Sequence, residues 1–479
     1  MNWKIFLEKI SNFENSIDIS KLKYFDFNPW PYVRLSVFNK WSIENTARIQ
    51  KETERARKTE NIILIIFKSF FRYIKNPIRR ADVDIIYFTH LSWFKEPLEN
   101  KVFDKNADSF WYFFSKDYKI KNIELSNHVW ENHRLYFKKD VTYLYFILVI
   151  TRIKNKLRSY LKPEKPSLYD ELNQEIKKNF GFQVDVAAEL AFINYLSKVF
   201  MRILTCYKPR LVFLAVFYCP NSMAISLACH RLGIRVVEYQ HGAPNEYHAM
   251  YTNWNNMPYK GYELIPDIFW TWGESSKSIV EKWAKNTTKH KAIIGGNLWM
   301  TYFKYSDVGT NIENLTKLYN KSKINILVSL QGDEFFPYFI FDNIKSSSST
   351  ITWHFRNHPS LLISEGLKNQ ITEFSNTEIN FSSNALLYNL LKLINIHITS
   401  FSTVAFEAQS FNIPTIFTHI NALNGYEHLI NKNGLYYADT SEKLKMLINK
   451  ISDCEEKIKP DHIISDLATH KSVLSMLME

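Results

Sequence analysis

The sequence predicts an α/β protein made of two successive domains, each built around a sheet of parallel strands. At 479 residues the chain is longer than one ordinary hydrophobic core requires. Short β-branched runs alternate with helical patterns from Lys208 to Asn297, and the same alternation starts again after Lys323. A helix between two such strands brings the chain back across the sheet, so the strands lie parallel. Two sheets of this kind predict two Rossmann-like halves that face a cleft.

The first of these domains is expected over residues 81–304, after a helical extension over residues 1–80. It starts with a strand signal, "DVDIIYFTH" (82–90), and a long section follows whose pattern predicts mostly helix. Asn221 is the expected N-cap of a later helix. From Lys208 onward two strand–helix–strand units are expected, over "PRLVFLAVFY", "NSMAISLACHRLGI", "RVVEYQ", "DIFWTWG", "ESSKSIVEKWAKN" and "KAIIGGN".

A polar, irregular stretch from Tyr305 to Lys323 predicts a linker between the domains. The second domain is expected over residues 322–479 and closes with C-terminal helices. Its predicted strands and helices follow in the order "INILVSLQG", "TITWHFRNHP", "ALLYNLLKLI", "NIHITSFS", "TVAFEAQSFN" and "IPTIFT".

The charge balance and the apolar runs limit the class of protein. The formal net charge is +12 with a pI near 9.1, which favours anionic partners, although a lysine-rich surface explains the same balance. The four cysteines have no metal-binding or redox spacing and are expected to be reduced thiols. The N-terminus has no secretory signal, and the apolar runs fall short of the ~20 residues of a membrane span. We therefore expect a cytoplasmic protein.

One stretch, Ile62 to Arg80, could bring the protein to the inner face of the membrane. Its sequence, "IILIIFKSFFRYIKNPIRR", mixes apolar and aromatic residues with Lys and Arg. A helix of this composition can lie in the bilayer interface with its cations on anionic headgroups. The alternative is an ordinary core helix whose lysines reach the solvent.

Three polar clusters follow strands of the second domain, where open parallel sheets bind their ligands. In the first cluster Gln331 precedes Gly332, and the glycine lets the backbone approach a ligand closely. In the second, Arg356 and His358 follow the next strand, and Pro359 would fix the loop that aims the histidine. A lone His-Pro pair has little meaning, so the prediction rests on the succession of clusters.

The third cluster, "TSFSTVAFEA", places hydroxyl groups at the end of a strand and the start of a helix. Ser400, Ser402 and Thr403 stand where hydroxyls and backbone N–H groups receive a phosphate, although such residues are more often helix caps. Glu407 follows about one turn later, within reach of ribose hydroxyls. Together the three clusters predict a nucleotide site.

In the first domain, "EYQHGAPNEYHAMY" places a His-Gly pair directly after a strand. Gly242 is expected to allow a tight turn that points His241 into the cleft. Glu246 and His248 lie further along the loop and are expected on the acceptor side, whereas Glu238 lies within the strand and could face a helix. An imidazole pKa near 6.5 suits the removal of a proton from a hydroxyl, although a histidine can also serve only as a hydrogen-bond partner in a turn.

"RNHP" followed by "TSFSTVAFEAQSFNIPTI" resembles the C-terminal half of GT-B glycosyltransferases of bacterial surface-polysaccharide synthesis. The similar sets are capsule synthesis enzymes, sialyltransferases, Kdo transferases and teichoic-acid glycerophosphotransferases. The resemblance covers residues 208–450 and implies the GT-B fold. It also implies that His358, Ser402 and Thr403 hold the phosphate of a cytidine nucleotide. "QHG" resembles the His-Gly loop of the teichoic-acid and capsule transferases, which makes His241 the candidate base. The acidic glycine motif of sialyltransferases is present only as "QGDE", with its glycine displaced.

These observations predict a glycosyltransferase that moves a sugar from a nucleotide sugar, with a cytidine nucleotide favoured, to a hydroxyl of a bacterial surface glycan or lipid-linked glycan. No DxD motif adjoins the donor loops, so cationic side chains, helix N-termini and His358 would stabilise the departing phosphate without a metal. No cofactor and no nucleic-acid partner are expected. Three alternatives stay open: a sugar-nucleotide epimerase of the same fold, a CDP-glycerol-type glycerophosphotransferase, and a non-catalytic scaffold.

Overall fold

The structure, a computed structural model, consists of two compact units. It describes residues 3–44, 62–89, 95–98, 101–126, 135–136, 141–161, 167–242, 248–305, 324–358, 361–453, 458 and 462–479. The linker predicted over residues 305–323 lies outside these ranges except for Tyr305. The first unit comprises Met1–Trp272, Ser276–Trp299 and Leu467–Glu479, and the second comprises Gly273–Ser275 and Met300–Asp466.

A sheet of seven parallel strands forms the centre of the first unit, in the order β10-β9-β8-β7-β1-β4-β6. Its middle strands are buried along their whole length, which explains their continuous β-branched and aromatic runs. The strands are β1 (Ile85–Thr89), β4 (Ile120–Glu124), β6 (Val141–Tyr143), β7 (Leu211–Leu214), β8 (Arg235–Tyr239), β9 (Ile268–Thr271) and β10 (Lys291–Ile294). A smaller sheet contains β2 (Lys95–Leu98), β3 (Lys101–Asp104) and β5 (Leu135–Tyr136).

The mostly helical section predicted after residue 90 is therefore wrong, because β2 to β6 all lie within it. The sequence of β4, "IKNIE", and that of β6, "VTY", are short and partly polar. Such segments carry almost no periodic signal, and they become strands because β4 pairs with β1 and β6 pairs with β4.

Helices cover the sheet of the first unit. They are α1 (Trp3–Ser16), α2 (Trp30–Glu44), α3 (Ile62–Lys75), α4 (Ala107–Phe114), α5 (Tyr145–Leu161), α6 (Ser167–Phe180), α7 (Ala187–Tyr207), α8 (Pro220–Leu232) and α9 (Glu274–Ala284). The next helix, α10 (Leu298–Tyr305), has most of its residues in the second unit. The predicted cap Asn221 lies inside α8, because this helix starts at Pro220 with Cys219 as its N-cap. Proline fits the first helical position, where no N–H is needed.

The N-terminal helices α1 and α2 belong to the core of the first unit. Phe6, Phe13, Trp30 and Val33 are fully buried in the same hydrophobic cluster as the sheet strands. Phe13 stacks on Trp30 with ring centroids 5.6 Å apart. Deleting the two helices would therefore open the core, because these large side chains supply much of the apolar surface that the unit buries.

Six parallel strands form the sheet of the second unit, in the order β13-β12-β11-β14-β15-β16. They are β11 (Ile324–Ser329), β12 (Ile351–Arg356), β13 (Thr377–Glu378), β14 (Ile396–Thr399), β15 (Thr415–Phe417) and β16 (Leu435–Tyr437). Ser329 pairs with Arg356 on one side and with Thr399 on the other. Strands β11, β12 and β14 therefore end level, and the loops that follow them start at one edge of the sheet.

The helices of this part of the chain are mostly short, and the predicted helix "ALLYNLLKLI" is helical only over α14 (Leu387–Leu391). The others are α11 (Ile340–Ser346), α12 (Glu365–Thr372), α13 (Asn380–Asn384), α15 (Val404–Gln409), α16 (Ile420–Tyr426) and α17 (Ser441–Asp453). The last helix, α18 (Leu467–Met478), belongs to the first unit. Within the described ranges, no helix is both long and apolar enough to cross a membrane. Cys206, Cys219 and Cys229 are thiols, and Cys454 lies outside those ranges.

Candidate functional site

The end of β8 gathers five side chains, which we call the β8-end cluster: Tyr218, Glu238, His241, His248 and Tyr251. The Tyr218 hydroxyl lies 3.1 Å from Nε2 of His241. The Tyr251 hydroxyl donates a hydrogen bond of 2.6 Å to Oε1 of Glu238. The His248 ring has its centroid 5.1 Å from that of Tyr218 and 4.8 Å from that of Tyr251. The cluster is thus one continuous set of contacts between groups that can carry protons.

Glu238 is the most perturbed acid of this cluster. Its carboxyl is buried and accepts hydrogen bonds from the Tyr251 hydroxyl and from the backbone N–H of Phe217, at 3.2 Å. Burial raises the pKa of Glu238 to about 8, an effect larger than the lowering caused by the two hydrogen bonds. The carboxyl is therefore protonated at neutral pH. Sequence reasoning suggested that Glu238 faces a helix, but it faces Tyr251.

Tyr218, His248 and Tyr251 are also held in their neutral forms. Burial lowers the pKa of His248 to about 4, so its imidazole carries no charge at neutral pH. Burial also raises the pKa of Tyr218 and that of Tyr251 well above the ordinary value of tyrosine. His241 keeps partial exposure, and its Nε2 lies beside the Tyr218 hydroxyl, so its imidazole is the candidate proton acceptor of the cluster.

Two more residues of the predicted His-Gly loop are Gly242 and Glu246. The carbonyl of Gly242 accepts a hydrogen bond of 2.9 Å from the Gln240 amide. The backbone of Gly242 is not left-handed, and a Cβ at this position would meet no atom of the described residues within 4 Å. The turn that Gly242 is expected to allow continues into residues 243–247, which lie outside the described ranges, so it stays a prediction. Glu246 lies outside the described residues.

The N-terminal helices fix the loop that carries His248 and Tyr251. The fully buried guanidinium of Arg34 donates to the carbonyls of Ala249, Thr252 and Asn253 at 3.0, 2.8 and 3.1 Å. It also forms a buried ion pair with Glu14. Sequence reasoning missed this contact, because an arginine in a helix is normally expected at the surface.

In the second unit the loops after β11 and β14 come together in what we call the β14-end cluster: Gln331, Gly332, Ser400, Ser402 and Thr403. Oε1 of Gln331 accepts a hydrogen bond of 2.8 Å from the backbone N–H of Phe401. The Ser400 hydroxyl donates to the carbonyl of Phe335 at 2.7 Å. Gly332 has φ +92°, a conformation that L-residues rarely adopt. The structure therefore brings two of the three predicted donor loops into direct contact.

The hydroxyls of the β14-end cluster differ in how firmly they are engaged. The Ser402 hydroxyl accepts a weak hydrogen bond of 3.3 Å from the Val404 N–H, whereas Thr403 makes no side-chain bond to the helix that it caps. Helix α15 has only six residues, so its N-terminus provides little dipole for an anion. Glu407 accepts a hydrogen bond of 2.6 Å from the Tyr388 hydroxyl, and its contact with a ribose stays a prediction.

The third predicted loop, after β12, starts at the same edge, but its arginine has internal partners. Arg356 donates to the carbonyls of Ser382 and Ala385 at 2.7 and 2.6 Å. Nδ1 of His358 accepts a hydrogen bond from the Leu361 N–H, and burial lowers the His358 pKa. Pro359 lies outside the described residues, so its effect on the loop stays a prediction.

A group of three rings at the same edge was not predicted. Phe335 and Phe401 have centroids 4.9 Å apart, and His419 lies 5.3 and 5.7 Å from them. All three side chains are partly exposed. Their only sequence signal is that each lies in a loop just after a strand, which is too weak to separate them from core aromatics.

The buried histidine His397 stabilises the strands that end at this edge. Nε2 of His397 lies 2.9 Å from the Ser329 hydroxyl, and its Nδ1 lies 3.0 Å from the Thr415 hydroxyl. Burial lowers the pKa of His397 to about 3, so the ring is neutral and links β11, β14 and β15 through side-chain hydrogen bonds. The loops that leave these strands therefore start from a rigid base.

Metal ligands are not grouped in the part of the chain that the structure describes. No three His, Cys, Asp or Glu side chains lie together there as a metal site would require. The predicted metal independence stays a prediction.

Comparison with known proteins identifies the fold. No family model matches the sequence, and no curated protein matches it either. Among solved structures, the chain is similar to the UDP-GlcNAc 2-epimerase of Neisseria meningitidis, solved with UDP-GlcNAc bound. The TM-score is 0.50 and the identity 12%, over 82% of this chain and 99% of that chain. It is also similar to the UDP-GlcNAc 2-epimerase of Methanocaldococcus jannaschii, with TM-score 0.52 and 13% identity, over 83% of this chain and 100% of that chain.

These likenesses show the fold and not the reaction, because the identities are low. Such epimerases share the GT-B fold with glycosyltransferases. With its two parallel-sheet α/β units, the chain has the two-domain Rossmann-like GT-B fold that the sequence predicts.

Proposed function

We propose that this protein is an enzyme that acts on a nucleotide sugar, which the β14-end cluster of the second unit binds. One observation carries the proposal. Two loops that sequence reasoning assigned to a nucleotide are hydrogen-bonded to each other at the carboxyl edge of a parallel sheet. The likeness to two enzymes named for a nucleotide sugar, over more than four-fifths of the chain, supports it.

The side chains at this edge suit a neutral, hydroxyl-rich mode of nucleotide binding. Arg356 is the only arginine from residue 300 to the C-terminus, and two carbonyls already engage its guanidinium. Phosphate oxygens would therefore be met by the hydroxyls of Ser402 and Thr403 and by the backbone near Gly332. Phe335 and Phe401 offer ring faces on which a base could stack.

The first candidate reaction is epimerisation of the sugar while it stays on its nucleotide. Its support is the fold likeness to two UDP-GlcNAc 2-epimerases. Inversion of a sugar carbon requires groups that take up and return protons, and the β8-end cluster contains such groups. His241 would exchange protons with the substrate, whereas Glu238 is too deeply buried to touch it.

The second candidate reaction is glycosyl transfer to a hydroxyl of a surface glycan. It is favoured by the sequence resemblance of residues 208–450 and by one structural detail, the partly exposed imidazole of His241 beside the Tyr218 hydroxyl. One accessible base is what the deprotonation of an acceptor hydroxyl requires. A CDP-glycerol-type transfer would use the same base, so CDP-glycerol is one of the compounds to be tested.

A product analysis separates these reactions. The purified protein is incubated with UDP-GlcNAc, a CMP-sugar and CDP-glycerol, each with and without a glycan acceptor. Magnetic resonance then follows the sugar and chromatography follows the nucleotide. Epimerisation gives a new nucleotide sugar without acceptor, whereas transfer releases the nucleotide only when acceptor is present. If every nucleotide compound stays intact and unbound, the proposal is wrong and a non-catalytic scaffold is the better interpretation.

A further inference from the structure

Two helices of the first unit expose large apolar side chains along one face each. On α3, Phe67, Phe71 and Ile74 are 59%, 49% and 52% exposed. Their spacing of four and three residues puts them on one side of the helix. On α5, Ile153 and Leu157 are 47% and 59% exposed. A monomeric protein rarely exposes so many large apolar groups together.

These two stripes adjoin each other. The rings of Phe70 on α3 and Phe146 on α5 have centroids 5.0 Å apart. On α5, the series Phe146, Ile150, Ile153 and Leu157 follows helical spacing, so the exposed stripe starts at this contact. The apolar surface therefore extends across both helices.

The charged residues of these two segments all have one sign. Neither Ile62–Arg80 nor Tyr145–Leu161 contains an Asp or a Glu. Exposed cations lie along both segments: Lys68, Lys75, Arg79, Arg80 and Lys154. Arg152 does not belong to this set, because it forms an ion pair with Glu189 on α7.

We propose that α3 and α5 form a surface that binds the face of an anionic membrane, with the aromatic side chains among the lipid headgroups and the cations on lipid phosphates. The positive charge of this surface distinguishes its two possible binding partners, a second copy of the chain and a lipid bilayer. A second copy of the chain would bring two positive surfaces together, whereas an anionic bilayer complements both the charge and the apolar stripe. The surface is independent of the β8-end and β14-end clusters.

Vesicle co-sedimentation of the full-length protein tests this surface. Phosphatidylcholine vesicles with and without phosphatidylglycerol are compared at low and high salt. We expect binding to the anionic vesicles that weakens as salt rises. Phe67→Ser with Phe71→Ser should lower the partition coefficient at least tenfold. Lys68→Gln with Lys75→Gln should lower it about fivefold per cation removed and flatten the salt dependence.

A matched control lies on another exposed helix. Met446 on α17 is 59% exposed and stands beside Lys445, so Met446→Ser with Lys445→Gln removes similar groups elsewhere. This variant should bind vesicles as the wild type does, and all variants should keep the wild-type melting temperature. Two results would overturn the proposal. The first is wild-type protein that does not bind anionic vesicles. The second is a dimer that forms without vesicles and that dissociates when Phe67→Ser and Phe71→Ser are introduced.

Discussion

The β8-end cluster and the β14-end cluster both stand at the carboxyl edge of a parallel sheet, yet their chemistry differs. In the first, two tyrosines, two histidines and a glutamate pack together, and burial holds Glu238, His248 and Tyr251 in neutral forms. In the second, amide, hydroxyl and backbone groups dominate, and Gly332 keeps the chain in a left-handed conformation. This difference fits the function that we propose, in which the first edge supplies proton chemistry and the second holds the ligand.

The two edges are also supported differently. Arg34 and Glu14 tie the loop of the β8-end cluster to the N-terminal helices through buried, charged contacts. The neutral ring of His397 supports the strands of the β14-end cluster through hydroxyl groups. The first edge should therefore respond strongly to pH and to charge removal, and the second only weakly.

The largest effect should come from the buried carboxyl of Glu238. Below pH 4.5 its carboxyl is protonated in both the folded and the unfolded chain. Between pH 4.5 and about 8 only the unfolded chain loses the proton, so the free energy of unfolding falls as pH rises. The slope due to this residue should be roughly 1.4 kcal/mol per pH unit. Urea unfolding across this pH range measures it.

Glu238→Gln should lose that slope, because an amide does not titrate. Tyr251→Phe removes a hydrogen bond that lowers the Glu238 pKa, so the window in which stability falls should extend to higher pH. Equal pH slopes in the wild type and in Glu238→Gln would show that Glu238 is ionised in the folded protein.

The second largest effect should come from the contacts of Arg34, which hold the loop of the β8-end cluster on the N-terminal helices. Arg34→Met leaves Glu14 buried without its cation and frees three backbone carbonyls, so unfolding free energy should drop by about 3–5 kcal/mol. Urea unfolding at neutral pH measures the change. Lys443→Met, which removes an exposed ion pair with Asp439, should change little. If both variants lose the same stability, Arg34 does not hold the loop.

His241 should affect turnover and leave nucleotide binding unchanged. His241→Ala removes the accessible base, and turnover should fall about 10²-fold or more. Tyr218→Phe removes only the hydroxyl next to the imidazole, so it should shift the pH profile of turnover with a smaller loss. Steady-state kinetics together with nucleotide titration separate the two effects. Near-normal turnover of His241→Ala would move the base to another residue.

The smallest of these effects should come from a single hydroxyl of the β14-end cluster. Ser402→Ala removes one hydrogen-bonding group at the proposed phosphate position, so nucleotide affinity should fall about tenfold. Ser410→Ala, at the other end of α15, is the matched control and should bind as the wild type does. Fluorescence or calorimetric titration gives both constants, and equal losses would assign the effect to the helix instead.

Strands were predicted correctly from the sequence where the local hydrophobic pattern is strong. Strands β7 to β12, β14 and β15 are apolar and β-branched enough to be predicted, and loops after strands could be assigned to the sheet edge. Strands β4 and β6 escaped prediction because only their neighbours in the sheet make them strands. The Glu238–Tyr251 and Arg34–Ala249 contacts escaped because burial and long-range pairing, not local pattern, create them.

Isothermal titration of the purified protein with UDP-GlcNAc, UDP, CMP and a CMP-sugar tests the proposed nucleotide-sugar site most directly. We expect at least one of these compounds to saturate a site on the wild type and on His241→Ala. Gly332→Val places a β-branched residue at φ +92° and should weaken that binding at least tenfold. Absence of binding for every compound, or wild-type affinity in Gly332→Val, would contradict the assignment of the β14-end cluster to a nucleotide sugar.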